Sequence, residues 1–375
     1  MTKDSAWDSA AGVPRCPNDK EVAGLYRQFE TPLPARAHCC AVAWEADRLA
    51  RKSGAQVNRG LLRAACLLHD LRRGEGLEHP LLAAGALAER GWPQVGELVR
   101  RHHDLGEAPS PEAELLYLAD KRIRGTECRS LEERFTASRQ KCRSQEALEN
   151  WSRRYQEARA LEAKYAGAGG EEAEDCAGII LAAGRSSRMG EFKPLLELDG
   201  VTMIRRVVGM MARAGCAPIV VVTGRQASLL EDHLSGEPVT FVHNPDYAGT
   251  QQLDSLCLGL TALEGRRGRA LVCPADIPLV SDQTARQVLG SHALFARPVF
   301  GQKAGHPAAL SLSLTPYLLS YDGPEGLRGA MEYGEITPVS LPVKDAAVVM
   351  DNDTPEDFRR SAVWCRRNRK DGETR

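Results

Sequence analysis

Apolar residues recur at intervals of three and four through the first half of the chain. Val42, Ala46 and Leu49 form one stripe, Leu61, Ala64, Ala65 and Leu68 a second, and Leu81, Leu82, Gly85 and Leu87 a third. Breakers separate them: Ser53-Gly54, Gly74-Glu75-Gly76, Gly91-Trp92-Pro93 and Pro109-Ser110-Pro111. This pattern predicts helices from about residue 20 to 165. Residues 126–164 are rich in Glu, Arg, Lys and Gln, which predicts one or two exposed helices closing the unit. Residues 167–172 read as a flexible, solvated linker. After Asp175 the rhythm changes to short, often β-branched runs at 178–181, 219–222, 239–242 and 271–272, with a late apolar run at 346–350. The stripe Ile204, Val207, Val208 and Met211 interleaves a helix, so the alternation predicts a mostly parallel, doubly wound α/β sheet. Segments around Val299 and 308–312 are expected to pair as a small antiparallel excursion. The organisation expected is therefore an all-α domain over 20–166, a linker over 167–175 and an α/β domain over 176–365.

Composition narrows the function classes. Among 375 residues, 49 Lys+Arg face 50 Asp+Glu, leaving no basic excess to hold nucleic acid or an anionic membrane. Aromatics at 5% argue against stacking platforms for single strands. No apolar run approaches the ~18 residues of a membrane helix. Residues 1–20 contain no apolar core of a signal peptide, so a cytoplasmic location is expected. The 11 cysteines include no Cys-x-x-Cys pair and sit mostly in apolar segments, which predicts free thiols in a reducing compartment rather than disulfides or a zinc-thiolate site.

Five of the nine histidines fall between positions 38 and 103: His38, His69, His79, His102 and His103. His69 is followed by Asp70, and Asp120 stands in Leu118-Ala119-Asp120-Lys121. Imidazole with carboxylate suits Mn, Fe, Zn or Mg, and each residue lies near an end of a predicted helix, where several helices can converge on one ion. Cys39 and Cys40 are expected to point away from that face. The set resembles the HD-domain phosphohydrolase superfamily over residues 35–124. His38, His69, Asp70 and Asp120 match the HD set proper, while His79 and His102 or His103 match members that hold two metals. The resemblance implies an all-helical fold, one or two divalent metals (Fe, Mn or Zn) and metal-assisted hydrolysis of a phosphate ester. Arg72, Arg73, Lys121 and Arg124 are candidate phosphate clamps.

In the second half, Leu181-Ala182-Ala183-Gly184-Arg185-Ser186-Ser187-Arg188-Met189-Gly190 begins where a predicted strand ends, with Lys193-Pro194 following. Small residues let backbone N–H groups approach a triphosphate. The spacing is neither a Walker A loop nor Gly-x-Gly-x-x-Gly. It resembles the molybdenum cofactor guanylyl- and cytidylyltransferases, nearer the cytidylyl branch, over residues 177–358. Thr250 to Gly259 with Ser255-Leu256, Pro274-Ala275-Asp276-Ile277-Pro278, Gly305-His306-Pro307, Gly326-Leu327-Arg328-Gly329 and Asp351-Asn352-Asp353-Thr354-Pro355-Glu356-Asp357 follow in that family's order. The resemblance implies a Rossmann-like nucleotidyltransferase. Leu181, Ala182, Ala183, Gly184, Arg185 and Ser255 would bind CTP or another nucleoside triphosphate. Arg188 and Lys193 would stabilise the leaving pyrophosphate, Asp276 and Asp353 would hold Mg2+, and His306 would contact the acceptor. Asp353 is also placed to cap a helix starting at Thr354-Pro355. The implied acceptor is molybdopterin, with molybdoenzymes or their chaperones as protein partners. An alternative is another phosphorylated acceptor, such as a sugar phosphate, with the HD domain as a nucleotide-sensing module.

Overall fold

In the computed structural model of the chain, the described residues are 15–167, 174–184 and 192–369, and they form two compact units divided between Glu171 and Glu172. The expected linker falls largely outside the described residues. Among those described, no helix is long and apolar enough to cross a membrane.

The first unit is helical: α1 (Asp19–Gln28), α2 (Leu33–Ser53), α3 (Arg59–Leu68), α4 (His79–Glu89), α5 (Pro93–Arg100), α6 (Pro111–Arg122), α7 (Leu131–Arg139) and α8 (Gln145–Tyr165). Local chemistry sets the starts: Asn18, Asn58, Ser110, Ser130 and Ser144 each accept a hydrogen bond from a first-turn N–H. The α4–α5 pair packs backbone to backbone, since a Cβ at Gly96 would lie 2.7 Å from the Ala84 carbonyl oxygen. Buried Glu45 on α2 accepts from Arg48 at 2.7 Å and from Arg122 on α6 at 2.8 Å, and Arg122 reaches Glu162 on α8 at 2.5 Å. That network fixes α8 against the bundle. Two hydroxyls tie the segment around α1 to the C-terminal end of α3 and the turn after it: Tyr26 donates to the Leu67 carbonyl and Thr31 to that of Leu71, both at 2.5 Å. A short hairpin, β1 (Ile123–Arg124) with β2 (Glu127–Cys128), interrupts the helical run that periodicity alone predicts.

The second unit contains β3 (Cys176–Ala182), the β4 (Glu197–Leu198) and β5 (Val201–Thr202) ribbon, α9 (Met203–Ala214), β6 (Ile219–Thr223), α10 (Ala227–His233), β7 (Val239–His243), α11 (Gln252–Thr261) and β8 (Arg269–Pro274). It continues through α12 (Asp282–Leu289), β9 (Phe295–Phe300), β10 (Lys303–Ala304), β11 (Ala308–Ser311), α13 (Thr315–Ser320), α14 (Gly326–Tyr333), β12 (Val339–Pro342) and α15 (Pro355–Arg369). The main sheet runs in the order β10-β9-β11-β8-β3-β6-β7, with β12 added in parallel beside β9. Strands β8, β3, β6 and β7 are mutually parallel. β11 is antiparallel to both β8 and β9, the excursion that the sequence predicts. β10 and β11 are one antiparallel path broken at His306-Pro307, where the register with β9 shifts.

One apolar run does not become a strand. Residues 346–349 form a 3-10 turn, because the Asp345 carboxylate accepts from the Ala347 N–H at 3.1 Å and also holds Ser281 and Thr284. The strand in that part of the chain is β12, whose mostly exposed positions carry little apolar signal. α9 buries Met203, Ile204, Val207, Val208, Met210 and Met211. α11 approaches β3 and β6 so closely that a Cβ at Gly259 would lie 2.8 Å from Ile179 and 3.1 Å from Val222. Gly259→Leu therefore overpacks this layer and should cost about 1–3 kcal/mol. A lower denaturant midpoint checks this; an unchanged midpoint would mean that α11 sits farther from the sheet.

Candidate functional site

In the helical unit, His38 on α2, His69 and Asp70 after α3, His79 at the start of α4, His102 and His103 after α5, and Asp120 on α6 converge. They form two groups, Asp70 with His79, His102 and His103, and His38 with His69 and Asp120. Within each group the ligand atoms lie within 4.8 Å of one another. Asp70 faces both groups: one carboxylate oxygen is 2.9 Å from His79 Nε2 and 3.7 Å from His102 Nε2, and the other is 3.8 Å from His69 Nε2.

Backbone carbonyls set the chemistry of these rings. Nδ1 of His69 donates to the Cys66 carbonyl at 2.8 Å, that of His79 to Gly76 at 2.7 Å and that of His102 to Val99 at 2.7 Å, each three residues back. His38 Nδ1 donates to the Gly125 carbonyl at 2.8 Å. A ring nitrogen at a carbonyl carries the proton, so in a neutral ring Nε2 presents its lone pair. Nε2 of His38 and His79 lie at hydrogen-bond distance from carboxylates, 3.2 Å from Asp120 and 2.9 Å from Asp70. His69 Nε2 and His102 Nε2 are buried with no hydrogen-bond partner.

Protonating every ring does not relieve this. Burial holds His69 below the ordinary histidine range, and burial with the charges of His69 and His103 holds His102 well below it. Burial disfavours a charged Asp70 as well, yet His69, the His79 hydrogen bond, His38 and Arg73 keep its carboxyl ionised well below the ordinary range. Asp120 behaves likewise, with Lys121 and His38 outweighing burial. Burial lowers the His38 pKa, but its hydrogen bond to Asp120 and the charges of Asp120 and Asp70 outweigh that and raise it. Imidazole nitrogens and ionised carboxylates around two small spaces are a donor set that fits divalent metal ions.

A cavity of about 850 Å3 opens onto these groups. Of the expected clamps, Arg73, Lys121 and Arg124 line it. Arg72 does not: its guanidinium is held by Glu75 at 2.5 and 2.7 Å and lies over the Phe29 ring. Cys39 also departs from expectation, because its sulfur sits 3.6 Å from His69 Nδ1. It touches the ring on the nitrogen already committed to Cys66, so it does not enter the ligand set. Both His102 and His103 join one group. Both line the cavity; His102 is buried, whereas His103 is partly exposed, and burial together with Lys121 pushes the His103 pKa down to about 4. Sequence reading missed Arg134 and Arg154 on α7 and α8, which line the same cavity from helices expected only to close the domain.

In the α/β unit a cavity of about 620 Å3 lies at the ends of β3 and β8. Leu181, Ala182, Ala183, Gly184, Lys193, Ser255, Asp276, His306 and Asp353 line it. Arg185 and Arg188 lie outside the described residues. Buried Lys193 donates to Asp353 at 2.7 Å, and its ammonium is 3.6 Å from Asp276. Burial raises the Asp276 pKa despite Lys193, and the Asp353 and Asp351 carboxylates raise it further. Among the described residues, the carboxylates lining the cavity outnumber its one ammonium, and their hard oxygens fit Mg2+.

Two asparagines that carried no separate signal brace this cavity. Asn352 is fully buried and donates to the Asp276 carbonyl at 2.8 Å, joining two of its loops. Asn244 donates to Thr250 at 2.9 Å and to Ser255 at 3.1 Å. The helix cap expected from Asp353 belongs instead to Thr354, which exchanges hydrogen bonds with Asp357 while Asp353 engages Lys193. His306 Nδ1 is buried without a partner, and burial with the Arg297 charge lowers its pKa to about 4. Arg328 is paired with Glu325 on the surface of α14.

Comparison with known proteins agrees with both units. Residues 36–125 match the HD domain and residues 178–339 the MobA-like NTP transferase domain. The molybdenum cofactor cytidylyltransferase of Escherichia coli (strain K12) is 28% identical over 186 residues, 49% of this chain and 93% of that protein. The bifunctional protein GlmU of Geobacter metallireducens is 34% identical over 121 residues, 32% of this chain, so the chain spans only 25% of GlmU. The structure of Rv0371c from Mycobacterium tuberculosis H37Rv aligns with a TM-score of 0.46 and 25% identity, over 51% of this chain and 100% of that one. The chain carries an HD domain followed by a MobA-like NTP transferase domain.

A metal in the helical unit stabilises the fold by linkage, about 2.7 kcal/mol at a hundredfold excess over Kd. Chelation should therefore lower the Tm of metal-loaded protein in calorimetry, and Asp70→Ala should remove the difference. A Tm indifferent to chelator would count against the ligand set.

Proposed function

We propose that the α/β unit transfers the cytidylyl group of CTP to molybdopterin with release of pyrophosphate, and that the helical unit hydrolyses a phosphate ester. The observation that carries the first reading is the convergence of Lys193, Asp276, Asp353 and His306 on one cavity beside the small-residue end of β3. The match along 93% of the E. coli cytidylyltransferase supports the choice of base and acceptor. The helical reading rests on the two ligand groups at the floor of a cation-lined cavity.

In the transferase cavity, Ala182, Ala183 and Gly184 leave room for phosphate oxygens at the strand end. Asp276 and Asp353 would hold Mg2+, which supplies charge neutralisation for an in-line displacement. Lys193, relieved of those carboxylates, would reach the leaving pyrophosphate. A phosphate monoester is already an anion at neutral pH, so the residues mainly position and stabilise charge rather than move protons. His306, neutral and with a free nitrogen lone pair or N–H at Nδ1, would orient the acceptor. In the helical cavity, His38, His69, Asp70, His79, His102 and Asp120 would hold one or two divalent metals, which supply Lewis-acid stabilisation of the phosphoryl oxygens and activation of water. Arg73, Lys121 and Arg124 would hold the phosphate.

Pyrophosphate release by the full chain tests the first reading. It should require Mg2+, CTP and molybdenum cofactor together. Lys193→Met or Asp276→Asn should lower kcat roughly 100-fold or more, the usual loss of a preorganised charge. Asp70→Ala should stop phosphate release from phosphate esters while pyrophosphate release continues. Release with GTP alone, or with a sugar phosphate as the acceptor, would replace the base or the acceptor named here.

A further inference from the structure

Many arginines of the helical unit are neutralised by a carboxylate: Arg48 by Glu45, Arg51 by Asp47, Arg63 by Asp19, Arg72 by Glu75, Arg100 and Arg101 by Glu97, and Arg153 by Asp104 and Glu157. Three that line the cavity are not. Arg124, Arg134 and Arg154 line it and form no ion pair with a described carboxylate, and the Nε atoms of Arg134 and Arg154 are buried with no hydrogen-bond partner. Asp70 and Asp120 are the only carboxylates lining the cavity among the described residues, and both belong to the metal-ligand groups. Arg73 and Lys121 also line it, but they pair with Asp70 at 3.4 Å and Asp120 at 2.6 Å, so the three unpaired arginines are the excess charge of the cavity.

An unpaired guanidinium with a buried, unpartnered Nε, as in Arg134 and Arg154, is unfavourable until an anion meets it. Arg73, Lys121 and Arg124 belong to the segments that carry the metal-ligand groups. Arg134 and Arg154 belong to α7 and α8, outside the residues that match the HD domain. The same two helices contribute Phe135 and Trp151, which meet edge-on, and Ser138, Ala147 and Asn150, an uncharged part of the lining. At about 850 Å3 the cavity is far larger than one phosphate group.

We propose that α7 and α8 convert this cavity into a receptor for an organic phosphate with two separated anionic groups. The scissile phosphate would lie at the metal-ligand floor, the uncharged body against Trp151, and the second anion on Arg134 and Arg154. These two arginines are specificity-determining residues: they select a bis-anionic substrate by charge-assisted hydrogen bonds made away from the reacting ester. The proposal rests on the phosphohydrolase reading and adds the class of substrate.

A series of α,ω-alkanediol bisphosphates of increasing chain length, set against the matching alkyl monophosphates, tests it in the Mn2+-loaded full chain. Phosphate release gives kcat/KM, and calorimetry gives binding without turnover. The bisphosphates should be preferred at an optimal chain length. Arg134→Gln with Arg154→Gln should reduce the ratio of bisphosphate to monophosphate kcat/KM by ~10-fold or more, mainly through KM. Arg134→Lys with Arg154→Lys, which keeps the charge, should retain most of it and controls for folding. Hydrolysis with no preference at any chain length, or an equal loss on both substrates in the Gln variant, would overturn this proposal and leave the hydrolase reading intact. Preferential binding of bisphosphates, lost in the Gln variant, without phosphate release would support the receptor and sink the hydrolase. Neither binding nor release would sink both.

Discussion

The helical unit is organised around hydrogen bonds from ring nitrogens to backbone carbonyls. By committing Nδ1 of His69, His79 and His102 to the carbonyls of Cys66, Gly76 and Val99, the chain decides which nitrogen is left with a lone pair. Each carbonyl lies in the helix end or turn just before its histidine, so local geometry aims the ring. The α2 histidine, His38, uses the Gly125 carbonyl of the β1–β2 hairpin for the same purpose. The result is four Nε2 atoms and two ionised carboxylates held together, with Nε2 of His69 and His102 buried and unpartnered, an arrangement that is costly until a cation enters it.

The α/β unit meets a related problem with a different device. Among the described residues, Asp276 and Asp353 flank the ammonium of Lys193, and Asp351 lines the same cavity, at the C-terminal ends of parallel strands. Ligands of open α/β sheets bind at such strand ends. Buried Asn352 locks the loop carrying Asp353 to the one carrying Asp276, so the charges are placed by backbone rather than by long side chains. In both units the protein holds like charges close together before any substrate arrives, and in both the excess is of a sign that a divalent cation or a phosphate removes.

Much of this was legible in the residues. Periodicity separated helical from β-branched segments, and the His and Asp positions that converge were those picked out by residue type and order. What was not legible depended on contacts between distant segments. No local signal marks Arg134 and Arg154, whose helices look like solvated faces until folding turns one side of them toward the cavity. Arg72 looks like Arg73 in sequence, yet Glu75 and the Phe29 ring take it away. Asp353 looks like a helix cap, but the long-range pull of Lys193 leaves that role to Thr354. The apolar run at 346–349 lost its strand to Asp345, a side chain that caps it into a turn.

Nitrogen-15 NMR of the histidine rings in the full chain, first free of metal and then titrated with Zn2+, tests the tautomer constraint most directly. The rings of His69, His79 and His102 should carry their proton on Nδ1 at neutral pH, and their Nε2 resonances should be the ones that move as metal is added. Protons on Nε2 of His69 or His102, or Nε2 resonances indifferent to metal, would contradict a preorganised metal centre.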